Sequence, residues 1–167
     1  MKCISFRDDV LPLKDKLYRL AVRITLDTAE AEDVVQETLV KVWKRCSDWE
    51  DPKEVEAFSY TVCRNAAIDA ADRAGRENVT LDEAKEKADF TVTNAADTAE
   101  RLSIVKKLMD NLPEIQRSIM ELRDIEGKTY QEIADILDIS DSQVKVYLFR
   151  ARTKIREQVR KIEEYGL

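Results

Sequence analysis

Histidine is absent from this chain of 167 residues, and glycine and proline number three each. Without histidine the commonest general base and a leading transition-metal ligand are missing, so Ser–His and Cys–His catalytic pairs cannot form within it. Carboxylates alone could still move protons, but Asp and Glu here follow helix surfaces and converge on no pocket signature. No glycine-rich loop is present to cradle a phosphate. The chain does not read as an enzyme, and neither a cofactor nor a metal is expected. So few turn formers, in a sequence dominated by Ala, Leu, Glu, Lys and Arg, make an all-α fold the expectation. Three cysteines, Cys3, Cys46 and Cys63, are too few and too scattered for a disulfide framework and are expected to be reduced. No stretch approaches the roughly 18 apolar residues of a membrane span. The first residues lack the apolar run of a signal peptide, so the expected location is the cytoplasm, with no membrane insertion.

What is present is segregated charge. The net charge of −6 hides two opposite segments. From Asp27 to Glu37 there are five acids (Asp27, Glu30, Glu32, Asp33, Glu37) and no base. From Gln143 to Arg156 there are five bases (Lys145, Arg150, Arg152, Lys154, Arg156) and no acid. Such asymmetry within one chain points to a different partner for each segment.

Apolar periodicity predicts three helices in a first domain, residues 1–76. The first runs from about Val10 to Thr25, with Leu13, Leu17, Leu20 and Ile24 on one face. The second, capped by Asp27 or Thr28, runs from Ala29 to Cys46 and buries Val35, Leu39, Val42 and Cys46, leaving Asp33, Gln36, Glu37 and Lys44 outside. The third spans about Glu54 to Arg73, after a polar loop ending in Asp51-Pro52. Residues 77–99 are acid-rich and weakly periodic and read as a linker. A second domain, residues 100–167, is expected to hold helices at about Glu100–Asn111, Pro113–Ile125, Tyr130–Leu137 and Asp141–Ile162, with Gly127 as a C-terminal cap and Thr129 and Glu132 as a capping box.

The sharpest signal lies between Thr129 and Arg152. A short helix, a turn at Asp138-Ile139-Ser140 and a longer helix form the layout of a helix-turn-helix, glued by Ile133, Ala134, Leu137 and Ile139. At about 100° per residue, Val144, Leu148, Ala151 and Ile155 of the longer helix form a narrow apolar stripe. Ser142, Lys145, Val146, Phe149, Arg150 and Thr153 fall opposite. A basic face can be merely solvated, but Val146 and Phe149 stand where water would otherwise be, and no acid accompanies the bases. Apolar groups can touch thymine methyls and arginine can read guanine in a major groove, while Lys145, Arg152, Lys154 and Tyr147 can bond phosphates. Ser142 and Gln143, in the first turn, complete the candidate DNA-reading set.

Five segments carry a resemblance. Leu112-Pro113-Glu114-Ile115-Gln116-Arg117, Glu126 to Ala134 and Val144 to Arg152 resemble region 4 of extracytoplasmic-function (ECF) sigma factors. Ala31-Glu32-Asp33-Val34-Val35-Gln36-Glu37-Thr38, followed later by Arg64-Asn65-Ala66-Ala67-Ile68-Asp69, resembles region 2 of the same family. The two motifs stand in family order and cover nearly the whole chain, a far more specific signal than a lone helix-turn-helix.

The resemblance implies a non-enzymatic subunit that directs core RNA polymerase to promoters. Asp33, Gln36 and Glu37 would dock on the clamp coiled coil of the β′ subunit, and the second domain would meet the β flap. Trp49, Phe58, Arg64 and Asn65 would capture the melted minus-10 element, with the Asn65 amide on a base edge. The helix from Asp141 would read the duplex minus-35 element. The free protein is expected to be a monomer, and an anti-sigma factor is a further partner common in the family. The chain departs from the family at Asp138, where glycine is usual, and at Val146 and Tyr147, where small polar and basic residues are usual. Its rivals are an ordinary helix-turn-helix regulator, which would bind an operator tightly unaided, and a polymerase-binding inhibitor, which would never start transcription. A carboxylate enzyme has no supporting motif.

Overall fold

The computed structural model describes residues 3–77 and 98–165, and among these no strand is present. Seven α-helices follow one another: α1 (Lys14–Thr25), α2 (Thr28–Arg45), α3 (Pro52–Glu77), α4 (Thr98–Met109), α5 (Glu114–Met120), α6 (Tyr130–Leu137) and α7 (Asp141–Glu164). Irregular turns fill the gaps, a π-turn at Phe6–Val10 and a 3-10 turn at Leu11–Leu13 before α1, and a second π-turn at Glu121–Ile125 after α5. The expected first and fifth helices are therefore shorter than their apolar periodicity suggested. Pro12 lies within the 3-10 turn, where its missing N–H costs nothing, and regular α geometry begins only after it. α3 overruns its expected end at Arg73, and α4 begins earlier than Glu100. The greater part of the expected acidic linker, residues 78–97, lies outside the described residues.

Each helix end has a local cause. Asp27 caps α2, its carboxylate accepting from Ala29 N at 2.9 Å and Glu30 N at 3.2 Å. α1 stops because Leu26 turns left-handed, at φ 56°, and returns its N–H to the Val22 carbonyl at 2.8 Å. Small residues let the first three helices approach: Ala31 on α2 and Ala67 on α3 are fully buried beside Leu17, Leu20, Tyr60 and Cys63. The Cys63 thiol donates to the Leu17 carbonyl at 3.4 Å, and burial pushes its pKa up to about 12, so it behaves as a small apolar group. A separate small cluster, Ile4, Val10, Val42 and Val55, closes the other end of this domain.

The second domain centres on Leu112, Ile119, Leu122, Ile133, Val144 and Leu148. Its core is continuous with the α1–α3 core, so the two helical domains pack directly on one another, which periodicity cannot reveal. Arg19 on α1 donates to Glu126 at 2.7 Å, and the Thr61 hydroxyl on α3 donates to the Ile136 carbonyl on α6 at 3.3 Å.

Candidate nucleic-acid interface

The helix-turn-helix forms as the capping pattern dictates. The Thr129 hydroxyl accepts from Glu132 N at 3.1 Å, and Glu132 accepts from Thr129 N at 3.5 Å. α6 ends at Asp138, which takes the left-handed conformation at φ 55°, the role glycine usually fills. Ser140 then caps α7, accepting from Gln143 N at 3.1 Å, while Gln143 Oε1 accepts from Ser140 N at 2.9 Å. Gln143, expected on DNA, thus commits its carbonyl oxygen to the cap and leaves its amide nitrogen outward.

Val144, Leu148, Ala151 and Ile155 are buried, as the wheel required, which fixes the opposite face of α7 toward solvent. There Phe149 is 67% exposed and Val146 46% exposed, with Lys145, Arg150 and Lys154 also exposed. Lys145 reaches over the Tyr130 ring at 5.8 Å. Ser142, Gln143, Val146, Tyr147 and Arg150 line a shallow hollow of about 190 Å³. Its lining, apolar Val146 and Tyr147 beside polar Ser142 and Gln143 and the Arg150 guanidinium, suits base edges and methyl groups in a major groove. Arg152 is placed differently: its Nε donates to Asp124 at 3.2 Å and its Nη2 pairs with the same carboxylate, so its charge braces α7 against the second π-turn.

The expected minus-10 residues fall into two groups. Trp49 and Phe58 are half-buried and pack on each other with their rings tilted by 39° and ring centroids 4.6 Å apart, against the Val10, Val42 and Val55 cluster. Arg45 lies over both rings, at 5.3 and 4.9 Å, and pairs with Asp48 at 3.1 Å. Arg45 was missed in the sequence because nothing in its spacing marks it. Asn65 stands exposed on α3, away from buried Tyr60, Cys63 and Ala67. Its neighbour Arg64 turns to the second domain and donates to Glu114 at 3.1 Å, its side chain only 15% exposed.

On α2, Asp33, Gln36 and Glu37 are all exposed, and Glu37 pairs with Lys41 at 3.0 Å. The same face continues into Val40 and Trp43, exposed at 51% and 60%. These two were also missed, although Val40 lies three to four residues beyond Gln36 and Glu37 and Trp43 three beyond Val40, which places both on the acidic face. An exposed tryptophan at the end of an acidic stripe has the chemistry of a protein-binding anchor.

A bundle of three helices with an acidic, tryptophan-ended face, followed by a helix-turn-helix with a basic, aromatic face, defines a DNA-directed transcription protein with two modules. Sequence comparison gives the same division. Residues 10–77 match the model of Sigma-70 region 2, and residues 98–155 match that of Sigma-70, region 4. Among similar proteins, the ECF RNA polymerase sigma factor SigL of Mycobacterium tuberculosis is 32% identical over 84% of this chain and 80% of its own length. The ECF sigma factor SigW of Bacillus subtilis is 26% identical over 93% of this chain and 89% of its own. The fold is similar to that of the sigma factor RpoE of Bartonella quintana, solved in complex with the anti-sigma factor NepR. That match has a TM-score of 0.71 at 25% identity and covers 93% of this chain and 96% of that one. The chain belongs to the ECF RNA polymerase sigma factors.

Proposed function

We propose that this chain carries core RNA polymerase to promoters by three surfaces. The exposed face of α2, Asp33, Gln36 and Glu37 extended by Val40 and Trp43, docks on the polymerase clamp, with acids for basic partner side chains and the indole as apolar anchor. α7 enters the major groove of the minus-35 element. Val146, Phe149 and Arg150 read base edges there, and Ser142, Gln143, Lys145 and Lys154 fix register on phosphates and nearby bases. Asn65 and Arg64 of α3, together with the separate Trp49–Phe58 pair, hold the unpaired minus-10 strand. Domain limits of 1–76 and 100–167 serve this division, and the second domain also meets the β flap. The work is done in the cytoplasm by binding energy alone, with no hydrolysis and no cofactor. An anti-sigma factor, as on the Bartonella relative, would have these same surfaces to cover.

The observation that carries this reading is the pairing, in one chain, of an acid-and-tryptophan face on α2 with a Lys/Arg/Phe face on α7 that has no acid between Gln143 and Arg156. The test is reconstitution with purified core polymerase and a library of genomic fragments, mapping the starts of transcripts. A set of starts sharing upstream sequence elements is the expected result. Polymerase left as inactive as without the protein would end the proposal, and tight sequence-specific binding by the protein alone would favour an ordinary regulator.

A further inference from the structure

Arg45 ends α2, and its backbone, at φ −117° and ψ 3°, leaves the helix and opens the 3-10 turn Cys46–Asp48. That turn brings Asp48 back beside it, so that Arg45 Nε donates to Asp48 Oδ2 at 3.1 Å. Trp49 follows in extended conformation, and its ring packs on Phe58 of α3. The Arg45 guanidinium lies 5.3 Å from the Trp49 ring centroid and 4.9 Å from that of Phe58, both within cation–π reach. Its side chain is nevertheless 57% exposed. Among the described residues its two Nη groups make no hydrogen bond, and Nε alone is engaged.

An exposed ion pair three residues apart adds little to stability, so bracing the turn does not account for this arginine. Nor does the surrounding charge suit a phosphate. From Asp48 to Glu56 there are five acids (Asp48, Glu50, Asp51, Glu54, Glu56) and one base, Lys53. A DNA strand passing here is driven to hold its phosphates away, whereas an unpaired base carries no net charge and can come close. The half-buried Trp49 and Phe58 rings offer its face an aromatic surface. Its edge then meets the Nη donors, which only acceptors satisfy. A guanidinium fork is best filled by two neighbouring acceptors. Guanine has such a pair in O6 and N7, and unpaired cytosine has one in N3 and O2. Adenine sets its N6 donor beside both N1 and N7, and thymine sets an N–H between its two carbonyls.

We infer that Arg45 is a specificity-determining residue for the minus-10 strand, selecting guanine or cytosine at the one unpaired position whose base rests on the Trp49–Phe58 pair. Asp48 is its positioning residue: by holding Nε it fixes the rotation of the guanidinium and leaves the Nη fork as the reader. This inference rests on the promoter reading above and adds to it a residue and the class of base it takes.

The test uses the full chain with core polymerase on a promoter library randomised through the minus-10 element, with base preference read from sequenced transcripts. Wild type is expected to favour guanine or cytosine over adenine and thymine by about tenfold at one position, the scale of a single bidentate base contact. Either base supports the inference and reports which edge meets the fork. Arg45→Met keeps a long apolar stem over the rings and removes the fork. It should reduce that preference to about twofold or less while leaving the upstream-element preference as in wild type. Arg45→Lys keeps the charge without the fork and should lose the preference likewise. Both variants should unfold thermally like wild type, because the side chain they replace is exposed. An unchanged base profile in Arg45→Met, a preference retained by Arg45→Lys, or an equal loss of initiation for all four bases would overturn the inference, and so would a large loss of stability in both variants, which would make Arg45 a brace. Each of these outcomes leaves the promoter reading standing as long as wild type starts transcription. No transcripts from wild type with core polymerase would strike that reading instead.

Discussion

Glu121 shows how one buried side chain couples this fold to pH. It is 1% exposed, its Oε2 has no hydrogen-bond partner, and it faces Arg23, Lys106, Arg19 and the like charge of Glu126. Burial raises its pKa, and the three cations offset that only in part. The folded state therefore holds the proton more tightly than the unfolded chain does. The stability this contributes is present below the ordinary carboxylate pKa and is lost as pH rises through the raised one. Glu121→Gln removes the buried negative charge and should stabilise the protein by about 1 kcal/mol at neutral pH, the usual scale for an unsatisfied buried group. Urea unfolding from pH 4 to 8 checks this, since the variant's stability should also fall less with rising pH than that of wild type. Arg150 makes the opposite kind of case. It is exposed, and its worth lies in what it meets outside the chain. Arg150→Ala should cost about 1–3 kcal/mol on the cognate upstream element and nothing in polymerase affinity. Competition between cognate and scrambled duplexes for the assembled holoenzyme separates base reading from a phosphate contact, because a phosphate contact would weaken both equally.

At the scale of elements, the helix-turn-helix was legible because its signals are local. Thr129, Glu132, Ser140 and the apolar stripe of α7 act within a turn or two, and each stands where its spacing required. Asp138 is the one strained joint in that unit. A left-handed residue with a Cβ costs free energy that glycine avoids, so Asp138→Gly should raise stability by about 1 kcal/mol, read from the urea midpoint at constant slope. A lowered midpoint would mean that the aspartate supplies something the backbone does not. On α2, periodicity separated the buried Val35 and Val42 from the acids but gave no weight to Val40 and Trp43. An apolar residue read alone is assigned to a core, and only burial reveals that this tryptophan has none. Trp43→Ala should therefore leave folding intact while weakening core polymerase binding by about 2 kcal/mol or more, the scale of an interface hot spot. Calorimetric titration measures that loss directly, and an unchanged affinity would remove Trp43 from the docking face.

The scale of the whole molecule was the least legible, because contacts such as Arg64 with Glu114 and Lys128 with Glu56 join residues 50 and 72 positions apart. No short-range pattern encodes such pairs. They decide which charges the free chain can offer to DNA. Of the bases on α7, Lys145, Arg150 and Lys154 are exposed beside the reading face, while Arg152 is bound to Asp124. Arg64, on the other module, is held by Glu114. Charges more than about 8 Å apart are largely screened at physiological salt, so the net −6 of the chain does not cancel this local patch. Neutralising two phosphates with Lys145 and Lys154, while Arg150 sits on a base edge, releases their counterions, and the logarithm of the binding constant should fall with the logarithm of salt at a slope near −2. Fluorescence anisotropy of a labelled duplex carrying the upstream element, titrated with free protein from about 50 to 200 mM salt, gives that slope. A slope beyond about −5 would mean that a second phosphate-binding surface is engaged before polymerase arrives, which the closed packing of the two domains forbids.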